Sequence, residues 1–438
     1  MDSSFTPELD ALPQEWRVDR FDRFFFVQQG KQVSKRNRVG NSQRPFLRTK
    51  NVLWGRLDLA ELDEMHFTDE EESRLALQPG DLLICEGGDI GRTAIWHGAV
   101  QQCYHQNHLH RARRRNCAEI DPEFVLFWLW YAFEIGNVYF GRGNVTTIPN
   151  LSQSKLCELP LPVPPLSEQR KIAAVLGLVQ RAIEQQERLF ALTTELKKAL
   201  LHKLFTEGFR GEPQKQTEIG PVPESWEVVP LRALLRENLQ NGAFVRKNKF
   251  GKGVLFANVV NMYGDTYVNF DCVDRVTVGV REIAVYGLRE GDLLVVRSSL
   301  KREGIGQSSV VGRLAEPGIF DCHLIRVAVD SLKILPELLS FYWRSDKGKL
   351  DLIQRSKTVT MTTLNQAGLS GALVPKPSLD EQKQIIDLAL STESKLQFHQ
   401  RKRQCLTDLF QSLLQRLMTA QIRVDNLDLP EMSSLTIS

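Results

Sequence analysis

The chain contains the stretch Leu161-Pro-Val-Pro-Pro-Leu-Ser-Glu-Gln169 in two versions, since Val374-Pro-Lys-Pro-Ser-Leu-Asp-Glu-Gln382 follows 213 positions later. A proline-rich strand cannot continue into a helix interior, so each stretch predicts the end of a strand and the start of a helix. Ser167 and Asp380 are the predicted N-caps, and each precedes a Glu that suits the helix dipole. The pattern predicts two long helices in matching places.

Four more pairs of segments repeat in the same order, 210 to 215 positions apart. They are Pro13-Gln-Glu-Trp16 with Pro223-Glu-Ser-Trp226, residues 46–51 with 256–261, Gly80-Asp81-Leu82-Leu83-Ile84 with Gly291-Asp292-Leu293-Leu294-Val295, and His108-Leu109-His110-Arg111 with His323-Leu324-Ile325-Arg326. An ordered series of matches indicates an internal repeat. Short apolar runs after the Gly-Asp turns predict strands, and residues 122–139 and 336–354 predict helices.

Apolar residues after both proline-rich stretches follow a 4-3 spacing, with polar positions such as Gln186 and His399 in the middle. A period of 3.5 residues is typical of helices that supercoil around each other, and polar seam positions fix their register. The predicted seam consists of Ile172, Leu176, Val179, Ile183, Leu200 and Leu204 on one helix and Ile385, Leu396, Leu406, Phe410, Leu413 and Leu417 on the other. The alternative is that each amphipathic helix packs on its own domain.

The predicted fold class is α+β, with two pseudo-repeated α+β domains separated by two long antiparallel coiled-coil helices. A helix of about 40 residues is about 60 Å long. The predicted boundaries are a first domain at 1–165, a first helix at 166–208, a linker at 209–222, a second domain at 223–377, a second helix at 378–423 and a tail at 424–438.

The composition is that of a globular protein, with 42% hydrophobic and 25% charged residues. The seven cysteines form no Cys-x-x-Cys pair, which favours reduced thiols. The apolar run at 124–133 is too short to span a bilayer and the N-terminus has no apolar signal region, so we expect a cytoplasmic protein. The net charge of +3 permits nucleic-acid binding without requiring it, and the acidic run at 58–72 predicts segregated acidic and basic surfaces.

These motifs, in this order, resemble the specificity (S) subunit of type I restriction-modification systems over nearly the whole chain. The resemblance is carried by the Pro-x-x-Trp starts, the Thr-rich turns at 144–151 and 358–364, and the helix entries at 166–170 and 379–383. The second Thr-rich turn lacks the Pro-Asn step of the first, so its loop need not share the conformation of the first.

The resemblance implies that the two α+β domains are target recognition domains, each reading one half of a bipartite sequence in double-stranded DNA. It implies that the helices dock two methyltransferase (M) subunits and that a restricting complex adds restriction/translocase (R) subunits. Adenine methylation and ATP-dependent cleavage would then belong to the partner subunits, which would use S-adenosylmethionine, ATP and Mg. No cofactor and no membrane partner is expected for this chain.

The catalytic motifs that the sequence lacks support the same interpretation. The chain has no Gly-x-x-x-x-Gly-Lys phosphate loop and no Asn/Asp-Pro-Pro-aromatic tetrad. Cys103, His105, His108, His110 and Cys117 could hold zinc in principle, but the matching stretch keeps only Cys322 and His323, so we expect no metal. The alternatives are an enzyme with an unrecognised methyltransferase or nuclease site and a coiled-coil scaffold that binds proteins.

DNA contacts are expected from basic side chains interleaved with amides, because phosphates attract Lys and Arg while base edges are read by Arg, Asn and Gln. The candidates are Lys35, Arg36, Asn37, Arg38, Gln43, Arg44, Arg142, Asn144, Arg246, Lys247, Lys249, Lys252, Arg297, Lys301, Arg302, Arg355 and Lys357. The clusters around Lys31 and Arg246 are favoured because they occupy nearly matching places in the two halves. The alternative for any one of these residues is a solvated charged surface.

Overall fold

The computed structural model of the protein describes residues 11–115, 119–136, 138, 150–358 and 360–424. It divides into two compact units, which we call the first unit (1–185 with 403–438) and the second unit (186–402). The division falls inside both long helices, so each unit contains part of each helix. No helix in the described part of the chain combines the length and the apolar character that a membrane span requires.

The first unit is built on short strands and three short or medium helices before the first long helix. Its strands are β1 (Arg17–Arg20), β2 (Phe25–Gln29), β3 (Gln43–Leu47), β4 (Val52–Leu53), β5 (Arg56–Leu57), β6 (Asp63–His66), β7 (Leu82–Cys85), β8 (Thr93–Ile95), β9 (Tyr104–His105), β10 (Leu109–Arg114) and β11 (Pro160–Val163). Its helices are α1 (Asp69–Leu75), α2 (Pro122–Glu134), α3 (Gln153–Cys157) and the beginning of α4 (Leu166–Glu207).

The sheets of the first unit are small and mostly antiparallel. The largest has the order β2-β10-β7-β8, and a second sheet has the order β6-β3-β9 with β3 and β9 parallel. Strand β1 pairs with β11, so the start of the domain lies beside the proline-rich stretch that leads into α4. Helix α2 begins at Pro122 with Asp121 as N-cap, whose side chain accepts hydrogen bonds from two backbone N–H groups.

The second unit contains fourteen strands among its described residues. They are β12 (Gln214–Thr217), β13 (Gly220–Pro223), β14 (Glu227–Pro230), β15 (Gln240–Asn241), β16 (Phe250–Ala257), β17 (Asp274–Val276), β18 (Leu293–Val296), β19 (Ser298–Ser299), β20 (Ser308–Val310), β21 (Gly318–Phe320), β22 (Leu324–Val327), β23 (Lys357–Thr358), β24 (Thr362–Thr363) and β25 (Leu373–Lys376). Its helices are α5 (Val280–Tyr286), α6 (Pro336–Arg344), α7 (Asp346–Gln354), α8 (Gln366–Ser370) and most of α9 (Leu379–Met418).

The sheets of the second unit have the orders β15-β22-β18-β20, β17-β16-β21 and β19-β24-β23. Strands β16 and β21 are parallel, and β14 pairs with β25 beside the entry to α9. The fold is therefore mixed α/β with two long helices.

Both long helices contribute to the core of each unit. In the first unit Leu176 of α4 is buried in one cluster with Phe410 and Leu414 of α9. In the second unit Leu204 of α4 shares a cluster with Ile385 of α9. Burial of apolar side chains, at about 25 cal/mol per Å², is the main stabilising contribution at these contacts.

Three local predictions differ from the structure. Helices α4 and α9 begin one residue before Ser167 and Asp380, so these are not N-caps; Ser378 accepts the backbone N–H of Glu381 instead. The predicted helix at 336–354 is two helices, because Ser345 ends α6 and caps α7. The predicted linker at 209–222 contains the antiparallel hairpin β12-β13.

Candidate nucleic-acid interface

A buried hydrogen bond joins the start of each domain to the start of its long helix. Trp16 donates from its indole Nε1 to Glu168 Oε2 at 3.1 Å in the first unit. Trp226 donates to Glu381 Oε2 at 3.1 Å in the second unit. The Pro-x-x-Trp motif and the Glu of the helix entry therefore act together, because a buried carboxylate needs hydrogen-bond donors.

The glutamine that follows each Glu is buried and makes matching bonds. Gln169 accepts from the backbone N–H of Asp121 at 2.8 Å and donates to the carbonyl of Pro164 at 2.8 Å. Gln382 accepts from the backbone N–H of Leu335 at 2.8 Å and donates to Pro377 at 3.0 Å. Each amide thus ties the N-terminus of a domain helix to the long helix.

The first basic cluster lies on a 3-10 turn, Arg36–Arg38, just before β3. Lys35 and Arg36 are exposed and form no ion pair within the part of the chain that the structure describes. Arg38 is exposed, with Asp63 at 3.9 Å, and Asn37 donates to the carbonyl of Gln32 at 2.7 Å. The amide holds the turn in place while the cations project into solvent.

Two other cations of this cluster serve the fold. Lys31 is almost buried and bonds to Glu71, and Arg44 pairs with Glu72 at 2.8 Å. The hydrogen bond from Arg44, followed by that from Ser42, holds the pKa of Glu72 below its usual value. Lys31 and Arg44 are therefore held against acidic helix α1 by ion pairs.

The second basic cluster lies on a 3-10 turn, Lys247–Lys249, just before β16. Arg246, Lys247, Lys249 and Lys252 are all exposed, and only Lys249 has an acidic neighbour among the described residues, Glu282 at 3.8 Å. Each basic turn therefore precedes the central strand of a three-stranded sheet.

The remaining candidates of the second unit surround the sheet β19-β24-β23. Lys357 pairs in register with Thr363, and Thr363 pairs with Ser298, which places the Lys357 backbone near the segment that follows Arg297. Lys301 and Arg302 are exposed, whereas Arg355 is partly buried against Asp351 at 2.8 Å. Gln43 is half-buried and donates to the carbonyl of Gly40 at 2.9 Å. The predicted Arg142 and Asn144 lie outside the described residues.

The histidines and cysteines around 103–117 play separate roles. His105 is completely buried, and burial followed by the charge of Arg111 lowers its pKa to about 3. His110 has its Nε2 at 2.7 Å from the carbonyl of Leu151. Cys103 is buried, and burial raises the pKa of its thiol to about 12. Cys117 lies outside the described residues.

One group of three residues in the described part of the chain has the spacing of metal ligands. The ligand atoms of Asp321, Cys322 and His323 lie within 4.8 Å of one another. The Asp321 carboxylate also accepts the backbone N–H of His323 at 2.7 Å, which is the geometry of an ordinary turn.

The predicted seam residues divide between the two cores. Ile172, Leu176, Phe410 and Leu417 are buried in the first core, with Val179, Ile183 and Leu413 packed against it; Leu204 and Ile385 are buried in the second, with Leu200 packed against it; Leu396 and Leu406 are half-buried. His399 Nδ1 lies 3.0 Å from Gln186 Oε1, so the polar middle positions meet.

Several polar contacts were not anticipated from the sequence. Glu393 of α9 pairs with Lys197 of α4 at 3.1 Å, and it accepts the backbone N–H of Thr266 at 3.2 Å. Glu86 accepts from Gln29 Nε2 at 3.1 Å and lies 3.4 Å from His108 Nδ1. The internal repeat could have identified Glu86 from the sequence. The residue in the same place after the second Gly-Asp strand is Arg297, which the sequence predicts as a DNA contact.

Known proteins share sequence similarity with this chain. Residues 13–192 match the family described as the type I restriction modification DNA specificity domain. This part of the chain is thus similar to the type I restriction-modification specificity subunits.

Individual relatives match almost end to end. The putative type I restriction enzyme MjaX specificity subunit of Methanocaldococcus jannaschii is 23% identical, over 95% of this chain and 96% of that protein. The EcoKI specificity subunit of Escherichia coli K12 is 21% identical, over 86% of this chain and 81% of that protein.

Solved structures show the same fold. The type I restriction-modification S subunit from M. genitalium aligns with a TM-score of 0.57 and 13% identity, covering 95% of this chain and 98% of that one. A chain from a study of complex assembly and conformational transition of the type I R-M system aligns with a TM-score of 0.57 and 16% identity, covering 94% of this chain and 99% of that one.

Proposed function

We propose that this chain is the sequence-specific DNA-binding subunit of a type I restriction-modification complex. Each recognition domain reads one half of a bipartite target in double-stranded DNA. The long helices dock two methyltransferase subunits, and a restricting complex adds restriction/translocase subunits. The observation that carries this proposal is the similarity to named specificity subunits over nearly the full length of the chain.

We propose further that the two units are copies of one recognition unit, with the helices as an antiparallel coiled coil between target recognition domains at 1–165 and 223–377. Three pairs of features support the repeat. The bonds Trp16–Glu168 and Trp226–Glu381 match, the four-stranded sheets have corresponding orders, and each basic turn precedes a central strand.

Exposed cations on both basic turns support DNA binding. Duplex DNA presents a dense row of phosphates, and each Lys or Arg that neutralises one releases a counterion. Two such turns in corresponding positions suit a ligand with two half-sites. Phosphate contacts position a protein, while base contacts provide the sequence preference.

We place adenine methylation and ATP-dependent cleavage in the partner subunits, with S-adenosylmethionine, ATP and Mg as their cofactors. An assay of the isolated chain with S-adenosylmethionine and DNA tests this assignment. Methyl transfer by the chain alone would favour the alternative of an enzyme. Binding to a partner protein without any preference for a bipartite DNA sequence would favour the alternative of a scaffold.

The decisive experiment maps methylated adenines in the host genome with and without this gene. The expected result is one bipartite motif whose methylation disappears when the gene is deleted and returns with a plasmid copy. A genome whose methylated motifs are the same in all three strains would contradict the proposed function.

A further inference from the structure

A set of three polar side chains occupies the same place in each unit. We define the first triad as Gln29, Glu86 and His108. The backbone N–H of Glu86 donates to the carbonyl of His108 at 3.0 Å, and the carbonyl of Glu86 accepts from Leu151 at 2.9 Å.

The second triad, Asn241, Arg297 and His323, has the same backbone bonds. Arg297 donates to the carbonyl of His323 at 2.9 Å and accepts from Leu364 at 2.7 Å. Gln29 pairs with β10 and Asn241 with β22, the strands that follow the two histidines. The two triads are therefore corresponding positions whose middle residue differs in charge.

The first triad presents hydrogen-bond acceptors. A carboxylate only accepts, so Glu86 takes the amide donor of Gln29 at 3.1 Å and faces the Nδ1 of His108 at 3.4 Å. With those donors turned inward, the acceptors without a hydrogen bond to any described residue are the Gln29 Oε1 and, in the neutral ring, the His108 Nε2. Both side chains are exposed, so these acceptors can meet a ligand.

The second triad presents donors. The guanidinium of Arg297 carries five N–H donors, and its one hydrogen bond among the described residues is a long contact of 3.4 Å to the carbonyl of Cys322. Asn241 accepts from Gln366 through Oδ1 at 3.2 Å, and its Nδ2 donor has no hydrogen bond within the described part of the chain. Arg297 is half-buried, with its Nε buried and unpaired, and it forms no ion pair with any described residue, which leaves donors on its guanidinium for a ligand.

Each triad lies beside a basic turn. In the first unit the backbone of Asn107, next to His108, donates to Lys31 at 2.9 Å, and Asn37 ties the Arg36–Arg38 turn to Gln32. In the second unit Cys322 donates to Ala243 at 3.0 Å, three residues before Arg246. Gly30 and Gly242 permit this approach, since a Cβ there would collide with the carbonyls of His105 and Asp321.

The major groove of DNA distinguishes these two patterns. Its donors are the exocyclic amines of cytosine and adenine, and guanine offers the acceptor pair O6 and N7. We propose that the first triad reads the amine of a cytosine or adenine in one half-site and that Arg297 of the second triad reads a guanine in the other. This assignment rests on the proposed function, and it names the residues that set the sequence preference.

The test uses the native complex, purified through a tag on this chain, and a DNA library randomised in both half-sites. Glu86→Gln keeps the size of the side chain but no longer dictates which atoms of Gln29 and His108 face outward. We expect discrimination to fall about tenfold at one C or A position of one half-site. Arg297→Gln should cause a similar loss at one G position of the other half-site only.

Glu70→Gln and Arg232→Gln are the matched controls, because each removes the same charge at an exposed position away from the triads. They should leave the selected sequence unchanged. The assignment would be overturned if both triad variants kept full discrimination, or if either variant relaxed the sequence preference in both half-sites. In either case the wild type would still show its bipartite preference. A wild-type complex without a bipartite preference would instead overturn the proposed function and the assignment with it.

Discussion

Glu168 and Glu381 show how two corresponding buried carboxylates can be stabilised differently. Both accept an indole N–H, but Glu168 also pairs with Arg423 at 2.8 Å, whereas Glu381 accepts the backbone N–H of Phe209 at 2.9 Å. Glu381 has no ion pair among the described residues. A buried charge without a cation depends more on each neutral donor.

We therefore expect Trp226→Phe to destabilise the protein more than Trp16→Phe. Both substitutions remove an indole donor and a similar volume, but only Glu381 is left without a cation. The predicted difference in unfolding free energy is about 1–2 kcal/mol. Urea denaturation of the full chain, followed by unit-specific hydrogen exchange, measures it. Equal losses in the two units would contradict the argument.

His105 predicts a pH dependence of the first unit. Burial lowers its pKa to about 3, and its unfolded pKa is about 6.5. The unfolded chain therefore binds the proton in that window, so stability is full above pH 6.5 and falls as the pH drops toward 3, by about 1.4 kcal/mol per pH unit at most.

The measurement is denaturant unfolding from pH 7 to pH 4 for the wild type and His105→Leu. The variant should show a shallower loss of stability, and the exposed His97→Gln control should follow the wild type. The variant should still lose some stability as the pH falls, because His110 remains and burial lowers its pKa as well. Identical slopes for His105→Leu and the wild type would refute this prediction.

At the scale of elements, the long helices contact their domains through corresponding positions of different chemistry. In the first unit Phe410 packs on Trp130 with ring centroids 4.7 Å apart. The corresponding residue of α4 is Lys197, which pairs in the second unit with Glu393. An exchange of these positions would bury a cation among aromatic rings or leave a carboxylate unpaired, so the two docking sites are not interchangeable.

We expect the polar pair Gln186 and His399 to fix the register of the two long helices and to lower the free energy of unfolding relative to an apolar pair. Gln186→Leu alone should cost about 1 kcal/mol, because it leaves the His399 Nδ1 without its partner. The double variant Gln186→Leu/His399→Leu should recover that loss and exceed the wild type, since apolar seam positions are more stable than polar ones. Thermal unfolding of the three proteins tests the cycle. A double variant no more stable than Gln186→Leu would contradict it.

At the scale of the molecule, the first unit is discontinuous in sequence. Phe410, Leu414 and Leu417 lie almost at the end of the chain, yet they fill a core that begins at Trp16. The second unit lies entirely within 186–402. The second unit therefore needs no residue that follows Lys402.

A chain that ends at Lys402 should consequently lose the first unit selectively. Removal of the four buried apolar side chains of α9, Phe410, Leu414, Leu417 and Met418, opens that core, at about 2–5 kcal/mol for each large side chain. Hydrogen exchange should show loss of protection in β7 and α2 and retained protection in β18. A chain that ends at Val424 keeps those side chains and serves as the control. Equal protection of β7 in both truncated chains would argue against this division.

Neutralising the first basic turn should weaken DNA binding through one half-site. Lys35→Gln, Arg36→Gln and Arg38→Gln together should lower the salt dependence of binding by up to about three phosphate equivalents. Fluorescence titration of the assembled complex at several salt concentrations measures this. Arg20→Gln with Arg23→Gln, which removes two exposed cations already paired with acids, should have little effect. Unchanged affinity and slope for the triple variant would count against a role for this turn.

The sequence alone predicted the long helices, the strands after the Gly-Asp turns and the relation to specificity subunits. Those features depend on local order and periodicity, which one chain displays directly: the helix entries at 166 and 379 are visible as proline followed by a helical pattern. The sequence also singled out Gln186 and His399, because a polar residue in an apolar seam stands out.

Only the tertiary structure decided which charged side chains remain free. Lys31, Arg44 and Arg36 are equally basic in the sequence, but Lys31 and Arg44 meet α1 some 30 to 40 residues away, while Arg36 meets no acid in the described chain. Ion pairs and the Glu86 and Arg297 contacts arise between segments that are distant in sequence. Periodicity carries no information about such pairs, because folding, not local order, sets the distance between them.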